Sequence, residues 1–284
     1  MADGALGAYA YCVMAGDARP ALEGVAGVDP ARPPRVLRRS DLAAVAGDVA
    51  LSDFGAAPLK RNLEDVRWLE RIARAHEAVL DRALQAGTVV PLRLCTVFAD
   101  EAAVLAMLDR ERAALQAALA RLEGRAEWGV KLIADPSAVR AAAGGPPAEP
   151  ARSAGASGER AAEAPDRAGA PGPPGSGHAY LARKRRDRLA REEARRVAHE
   201  AARTVHAGLG AQAAAATVLR PPPRELSGEA GELVLNGAYL VDRERGGQFR
   251  ALAERIGEGQ RRRGLRLEVT GPWPPYSFAG DRAR

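Results

Sequence analysis

Four histidines, His76, His178, His199 and His206, are the side chains best suited to acid–base work or metal ligation in this 284-residue sequence, and their spacing supports neither. Zinc proteases place two histidines at i and i+4 on one helical face beside a glutamate, and His76-Glu77 is only half of that arrangement. Because His76 falls near the apolar face of an expected helix, it reads as a histidine hydrogen-bonded into the core. His199 and His206 lie seven residues apart on one helical face with no Cys or carboxylate at ligand spacing, and they read as surface residues. For nucleophilic catalysis the nearest fragment, Gly155-Ala-Ser157-Gly158, lacks the final glycine spacing of a nucleophile elbow. There is no glycine-rich phosphate loop followed by Lys-Ser or Lys-Thr, and no strand-flanked dinucleotide fingerprint. The acidic pairs Glu64-Asp65 and Asp100-Glu101 sit at expected helix starts, where the helix dipole favours negative charge without any reaction. Cys12 and Cys95 are the only cysteines, too few for a disulfide framework or a cysteine-rich zinc site, and both read as buried thiols. The residues therefore predict a non-enzymatic chain with no catalytic residues, metal, cofactor or small-molecule substrate.

Charge points to a different class of function. The formal net charge is +6, and the basic excess lies entirely beyond residue 178, where 21 basic side chains face 13 acidic ones. The densest run, Arg183-Lys184-Arg185-Arg186 with Arg188 and Arg191, is the best nucleic-acid signal in the chain. Against it, Asp187, Glu192, Glu193 and Glu200 interleave at ion-pair spacing, for example Arg188 with Glu192 and Glu192 with Arg196. Aromatic residues for base stacking are absent from the run. A basic nucleic-acid-associated protein is thus the second reading, behind a solvated or protein-docking helix face. Apolar residues at 46% and charged residues at 27% fit a globular protein. No apolar run approaches the ~18 residues of a membrane span, and no Lys or Arg precedes Arg19 to start a signal peptide, so a cytoplasmic location without membrane contact is expected.

The elements that would carry these residues fall into two units. Residues 136–178 hold 8 Pro, 8 Gly and 4 Ser, and Val139 is their only branched apolar side chain, so the composition predicts a disordered Ala/Pro/Gly-rich linker. Before it, residues 1–135 read as strands over Tyr9 to Met14, Arg35 to Arg39 and Leu42 to Val49, then a helix from Asn62 to Gly87. A strand over Thr88 to Phe98, interrupted by Pro91, marks an edge or a bulge. One helix over Asp100 to Leu122 and a strand over Glu127 to Ala134 then close the unit. That order predicts a ferredoxin-like α+β domain, an antiparallel sheet with two helices over one face. After the linker, residues 179–284 read as a long helix from Tyr180 to about Leu209, then strand, helix and strand over Leu233 to Val241, Phe249 to Ile256 and Leu265 to Thr270. This is a second, smaller α+β unit.

The chain closes on Gly271-Pro-Trp273-Pro-Pro275-Tyr-Ser-Phe278, which concentrates three of its twelve aromatic residues after a strand. Its three prolines stiffen the backbone, so Trp273, Tyr276 and Phe278 can be presented at low entropic cost. The cluster either covers a groove on its own chain or meets a protein partner, with Tyr276 the favoured outward residue. This octapeptide, together with Leu235-Asn-Gly237-Ala-Tyr239-Leu-Val241, Glu127-Trp-Gly129-Val-Lys131 and the run from Trp68-Leu-Glu through His76-Glu77 to Pro91-Leu-Arg93, resembles the gas vesicle accessory proteins GvpL/GvpF. The resemblance spans both units, and the linker is longer and richer in Ala, Pro and Gly than the family pattern requires. It implies a non-enzymatic assembly factor at the gas vesicle that binds the small, hydrophobic shell protein and other accessory proteins. Such a factor would keep the shell protein from aggregating or stay as a minor component of the wall.

Overall fold

The computed structural model describes residues 5–142, 176–221 and 231–280. Two antiparallel sheets organise it. In the first, β1 (Leu6–Ala15) runs between β3 (Leu42–Ala50) and β4 (Val89–Pro91), β2 (Arg35–Arg39) pairs with the outer side of β3, and β5 (Val97–Phe98) also pairs with β1. Pro91 thus lies in an outer strand, where a missing N–H is tolerated.

The class is α+β, with an N-terminal antiparallel sheet and a C-terminal helix-plus-sheet unit. The helices, however, do not share one face of the first sheet. Tyr9, Tyr11 and Met14 of β1, with Val45, Val49 and Val89, face α3 (Val66–Ala86) through Ile72, His76, Val79 and Leu80. Ala8 and Val13 face the opposite way, with Leu42, Ala44, Ala46 and Val90, onto α4 (Glu101–Arg110) and α5 (Arg112–Leu122). The reason is visible in β1, whose residues 7–14 are all buried apolar or glycine rather than alternating. A strand of that composition needs cover on both faces. The single helix expected over Asp100 to Leu122 is broken at Glu111, whose φ of −103° and ψ of 12° are not helical, so α4 can lie on β2 and β3 while α5 lies on β4 and β1. Asp65 and Asp100 do cap helices: their carboxylates accept from Arg67 N and Trp68 N, and from Ala103 N. Two short helices, α1 (Leu51–Phe54) and α2 (Ala56–Asn62), were not legible in the sequence pattern.

The second sheet has the order β7 (Ala215–Val218), β8 (Glu232–Asp242), β6 (Arg125–Ala134), β9 (Leu265–Trp273). This corrects the reading in which Glu127 to Ala134 closes the first unit, because β6 is paired along its length with β8 on one side and β9 on the other. Trp128, Val130, Leu132 and Ala134 face a core built with Ala194, Ala198, Ala201, Val205 and Leu209 of α7 (Ser176–Gly210) and with Phe249 and Ala253 of α8 (Gly246–Arg261). The alanines let α7 approach the sheet closely, which is why its buried stripe is narrow. Leu240 of β8 points the other way and joins the core of α4 and α5, so the two units share a hydrophobic layer.

The linker boundary also moves. Residues Pro136–Ala142 form a helix, α6, whose Val139 is buried in the second core. Asp135 starts it: its Oδ1 accepts from the backbone N–H groups of Ser137 and Ala138 and from the Ser137 hydroxyl. An Asp N-cap followed by Pro at the first helical position is a sequence signal for a helix start, masked in the sequence by the Ala/Pro/Gly-rich composition of the residues that follow. Residues 143–175 of the expected linker, including the Gly155–Gly158 fragment, lie outside the described residues. Cys12 is buried as expected, whereas Cys95 is half-buried in a loop with φ of 63°.

Candidate functional site

The proline-aromatic tail does not run free. Strand β9 continues through Trp273, which stands opposite Glu127 of β6. Pro274 and Pro275 are buried, and Tyr276–Phe278 then make one 3-10 turn closed by hydrogen bonds from Tyr276 N to the Pro274 carbonyl and from Phe278 N to the Pro275 carbonyl. The turn is pinned at three places. The Tyr276 hydroxyl donates to Glu77 Oε1 of α3 at 2.9 Å. Ser277 donates its backbone N–H and its hydroxyl to the two carboxylate oxygens of Glu127, each at 2.7 Å. The Phe278 carbonyl accepts from Arg121 of α5 at 2.9 Å. The tail therefore ties α3, α5 and β6 together, and these belong to both units.

Tyr276 reaches the most aromatic part of the molecule. Its ring stacks beside His76 with centroids 6.4 Å apart, and His76 in turn packs against Tyr9 and Tyr11. His76 is 1% exposed, and its Nδ1 lies 2.9 Å from the Tyr9 hydroxyl, which also accepts from the Cys95 N–H. The Tyr9 hydroxyl can donate to Nδ1 while its oxygen accepts the Cys95 N–H, an arrangement suited to a neutral imidazole. The His76 Nε2 is buried without a hydrogen-bond partner among the described residues, and the Leu92 backbone favours the protonated ring only weakly against burial. Burial pushes the His76 pKa down to about 4. Burial likewise raises the carboxyl pKa of Glu77, with the Tyr276 hydroxyl pulling the other way and Asp81 adding repulsion. Glu127 is raised by burial too, against the two hydrogen bonds from Ser277. The Tyr276 hydroxyl is raised by burial and by the Glu77 charge. The core reading of His76 matches this geometry.

Of the three aromatic partner candidates, the structure turns Tyr276 inward, half-buries Phe278 against the core of α4 and α5, and leaves Trp273 51% exposed. Trp273 and not Tyr276 is thus the outward residue, because Glu77 and the aromatic cluster capture the tyrosine. Other exposed large apolar side chains among the described residues are Leu6, Leu63, Val66, Leu181 and Leu189 on α7, and Val218 on β7. The histidine readings on α7 split: His199 is exposed, while His206 is half-buried with its Nδ1 2.8 Å from the Tyr239 hydroxyl. On the basic face of the same helix, Arg188 pairs with Glu192 as expected, but Arg196 pairs with Glu193 and Glu200 instead of Glu192. Among the described residues no group of three His, Cys, Asp or Glu could hold a metal ion, and no helix is long and apolar enough to cross a membrane.

Residues 7–280 match the family described as gas vesicle synthesis protein GvpL/GvpF. The chain belongs to that family. Gas vesicle protein L of Streptomyces sp. (strain CB03234) is 41% identical over 258 residues, covering 91% of this chain and 87% of that protein. Gas vesicle protein F of the same strain is 31% identical over 252 residues, covering 88% and 89%. Two solved GvpF structures share the fold at 20% identity: that from Anabaena sp. PCC7120 with a TM-score of 0.63 over 98% of both chains, and that from Microcystis aeruginosa with 0.64 over 97% of this chain and 99% of that one. The GvpL/GvpF match includes the whole docked tail and both sheets.

Proposed function

We propose that this GvpL/GvpF protein is a non-enzymatic accessory factor of gas vesicle assembly that binds the hydrophobic shell protein and other vesicle proteins and resides at the gas vesicle. The observation that carries the reading is the family match over residues 7–280, which takes in every described element rather than one portable motif. The tail supports a direct contact. Tyr276 and Phe278 anchor it to the fold, and this leaves Trp273 presented on a strand end whose position is set by the hydrogen bonds at Ser277 and Tyr276. A large amphipathic ring held in this way can bury apolar area on a partner with little further loss of entropy.

Co-expression with the shell protein, followed by pull-down on the tagged chain, tests the proposal. The wild-type chain should recover the shell protein. Trp273→Ala should weaken that recovery by the equivalent of more than about 1 kcal/mol, as a contact residue does. Its melting temperature should fall by less than that of Tyr276→Ala, because the Trp273 ring is only half-buried. Recovery of nucleic acid with a steep salt dependence and no shell protein would instead favour the basic nucleic-acid-associated reading. Undiminished recovery by Trp273→Ala would remove that residue from the contact.

A further inference from the structure

Where α6 lies against α7, three arginines converge on a cavity of about 170 Å³. Arg140 comes from α6, and Arg191 and Arg195 come from successive turns of α7. Val139 and Ala194 supply apolar wall, and Glu232 at the start of β8 also lines the cavity as a counter-charge. Among the described residues, neither Glu232 nor any other carboxylate forms an ion pair with these three arginines, whereas their neighbours Arg188 and Arg196 are paired along the helix. The Arg140 Nε is buried and has no acceptor among the described residues. Leaving a cationic donor buried without an acceptor costs its desolvation with no return, so the arrangement is incomplete as it stands.

Guanidinium groups that outnumber the carboxylates around a largely apolar pocket suit a further carboxylate, whose two oxygens match the planar fork of donors. The size of the cavity narrows the occupant. At about 170 Å³ it is well below the roughly 300–1,000 Å³ of sites that enclose a whole small molecule, and it is suited to one side chain. The surroundings narrow it again. Lys184, Arg191 and Arg195 recur at helical spacing along one side of α7, with Arg188 between them paired to Glu192, so a basic stripe leads to the cavity. We infer that the cavity receives an acidic side chain of a protein partner, an extended Asp/Glu-rich segment that lies along α7 and inserts one carboxylate between Arg140, Arg191 and Arg195. This site is distinct from Trp273. The cavity includes Ala134 at one end of β6, and Trp273 pairs with Glu127 near the other, some seven residues or about 23 Å away at the rise of a strand. The inference does not rest on the shell-protein contact.

Fluorescence anisotropy with labelled hexaglutamate on the full chain tests it, alongside a labelled single-stranded DNA hexamer as the phosphate control. Hexaglutamate should bind at low ionic strength, and the double variant Arg191→Gln/Arg195→Gln should weaken binding by at least about tenfold, the scale of losing charge-assisted hydrogen bonds. Arg185→Gln, an exposed arginine elsewhere on the same helix, should change it by less than about twofold. Glu232→Gln should tighten binding, since it removes the one carboxylate that lines the cavity among the described residues. Arg191 and Arg195 are exposed, so the double variant should melt as the wild type does. An equal loss from Arg185→Gln would mean diffuse attraction only and would overturn the site. So would unchanged binding in the double variant, or no measurable hexaglutamate binding by the wild type. Tighter binding of the DNA hexamer, weakened by the same variants, would replace the acidic side chain by a phosphate.

Discussion

At the scale of single residues, His76 and Tyr276 carry the sharpest expectations. In the unfolded chain a histidine titrates near 6.5, whereas buried His76 resists protonation until about pH 4. Between those values the unfolded state binds the extra proton, so stability falls as the pH drops through the window and stops falling on this account below it. From pH 7 to pH 5 the loss from His76 should be about 2 kcal/mol. Glu77 and Glu127 act in the opposite sense, because their raised folded pKa values favour the folded state as the pH falls. Urea midpoints at the two pH values for wild type and His76→Gln isolate the imidazole; the variant should lose about 2 kcal/mol less, and equal slopes would assign the acid sensitivity elsewhere. Tyr276→Ala should lower the melting temperature markedly, because it removes a ring from the aromatic core and leaves Glu77 without its hydroxyl donor. A cost of about 3 kcal/mol is the scale for truncating such an aromatic. A Tyr276→Ala protein that melts as the wild type does would contradict the docked geometry.

At the scale of elements, α6 makes a specific test of where the second unit begins. The helix sits on the turn before β9: Asp135 N donates to the Gly264 carbonyl, and Gly264 has φ of +75°. A β-carbon at Gly264 would come within 2.5 Å of Val139 N and 2.6 Å of the Ala138 carbonyl carbon, both backbone atoms of α6 that cannot simply rotate away. Gly264→Ala should therefore cost at least about 2 kcal/mol, combining a left-handed backbone with a steric clash. Asp135→Ala, which removes only the cap, should cost about 1 kcal/mol. Denaturant midpoints on both variants rank them, and a silent Gly264→Ala would mean that α6 does not pack there.

At the scale of the whole molecule, the second sheet is discontinuous in sequence. Its central strand β6 precedes residues 143–175, and its partners β7, β8 and β9 follow them. A fragment of residues 1–135, the domain suggested by the sequence, would carry β6 with both hydrogen-bonding edges open and with Trp128, Val130 and Leu132 uncovered. It should aggregate when expressed alone, as exposed apolar strand edges do. Size-exclusion chromatography of the fragment against the full chain decides this, and a monodisperse monomeric fragment would show that the first unit does not need the second. The tail adds to this interdependence. Residues Tyr276 and Ser277 bond to Glu77 and Glu127, which lie in α3 and β6, so this turn ties the two sheets together.

What the sequence determined alone is the local content of the fold. Arg35–Arg39 is a strand to the residue, Leu42 to Val49 lies within β3, and the periodic helix after Asn62, the helix over Phe249 to Ile256 and the strands around it all exist where short-range pattern placed them. The three-to-four residue spacing of buried side chains in α3 and the β-branched runs are properties of neighbouring residues, and neighbours are adjacent in sequence. The absence of a familiar reaction motif was equally a reading of local spacing. The tertiary structure alone decided which sheet takes β6, which faces of β1 the helices cover, how Arg140 meets Arg191 and Arg195, and which way the tail aromatics point. The unbroken apolar run of β1 did record that both its faces are covered, but not by what. Tyr276 could be read as outward because nothing near it in sequence holds it; its partner Glu77 is 199 residues away, and Ser277 finds Glu127 150 residues away. Strand edges pair through backbone groups common to nearly all residues, and a buried carboxylate accepts from whichever donor the fold brings to it. These choices are made by the closing of the chain on itself and leave no periodic mark in its sequence.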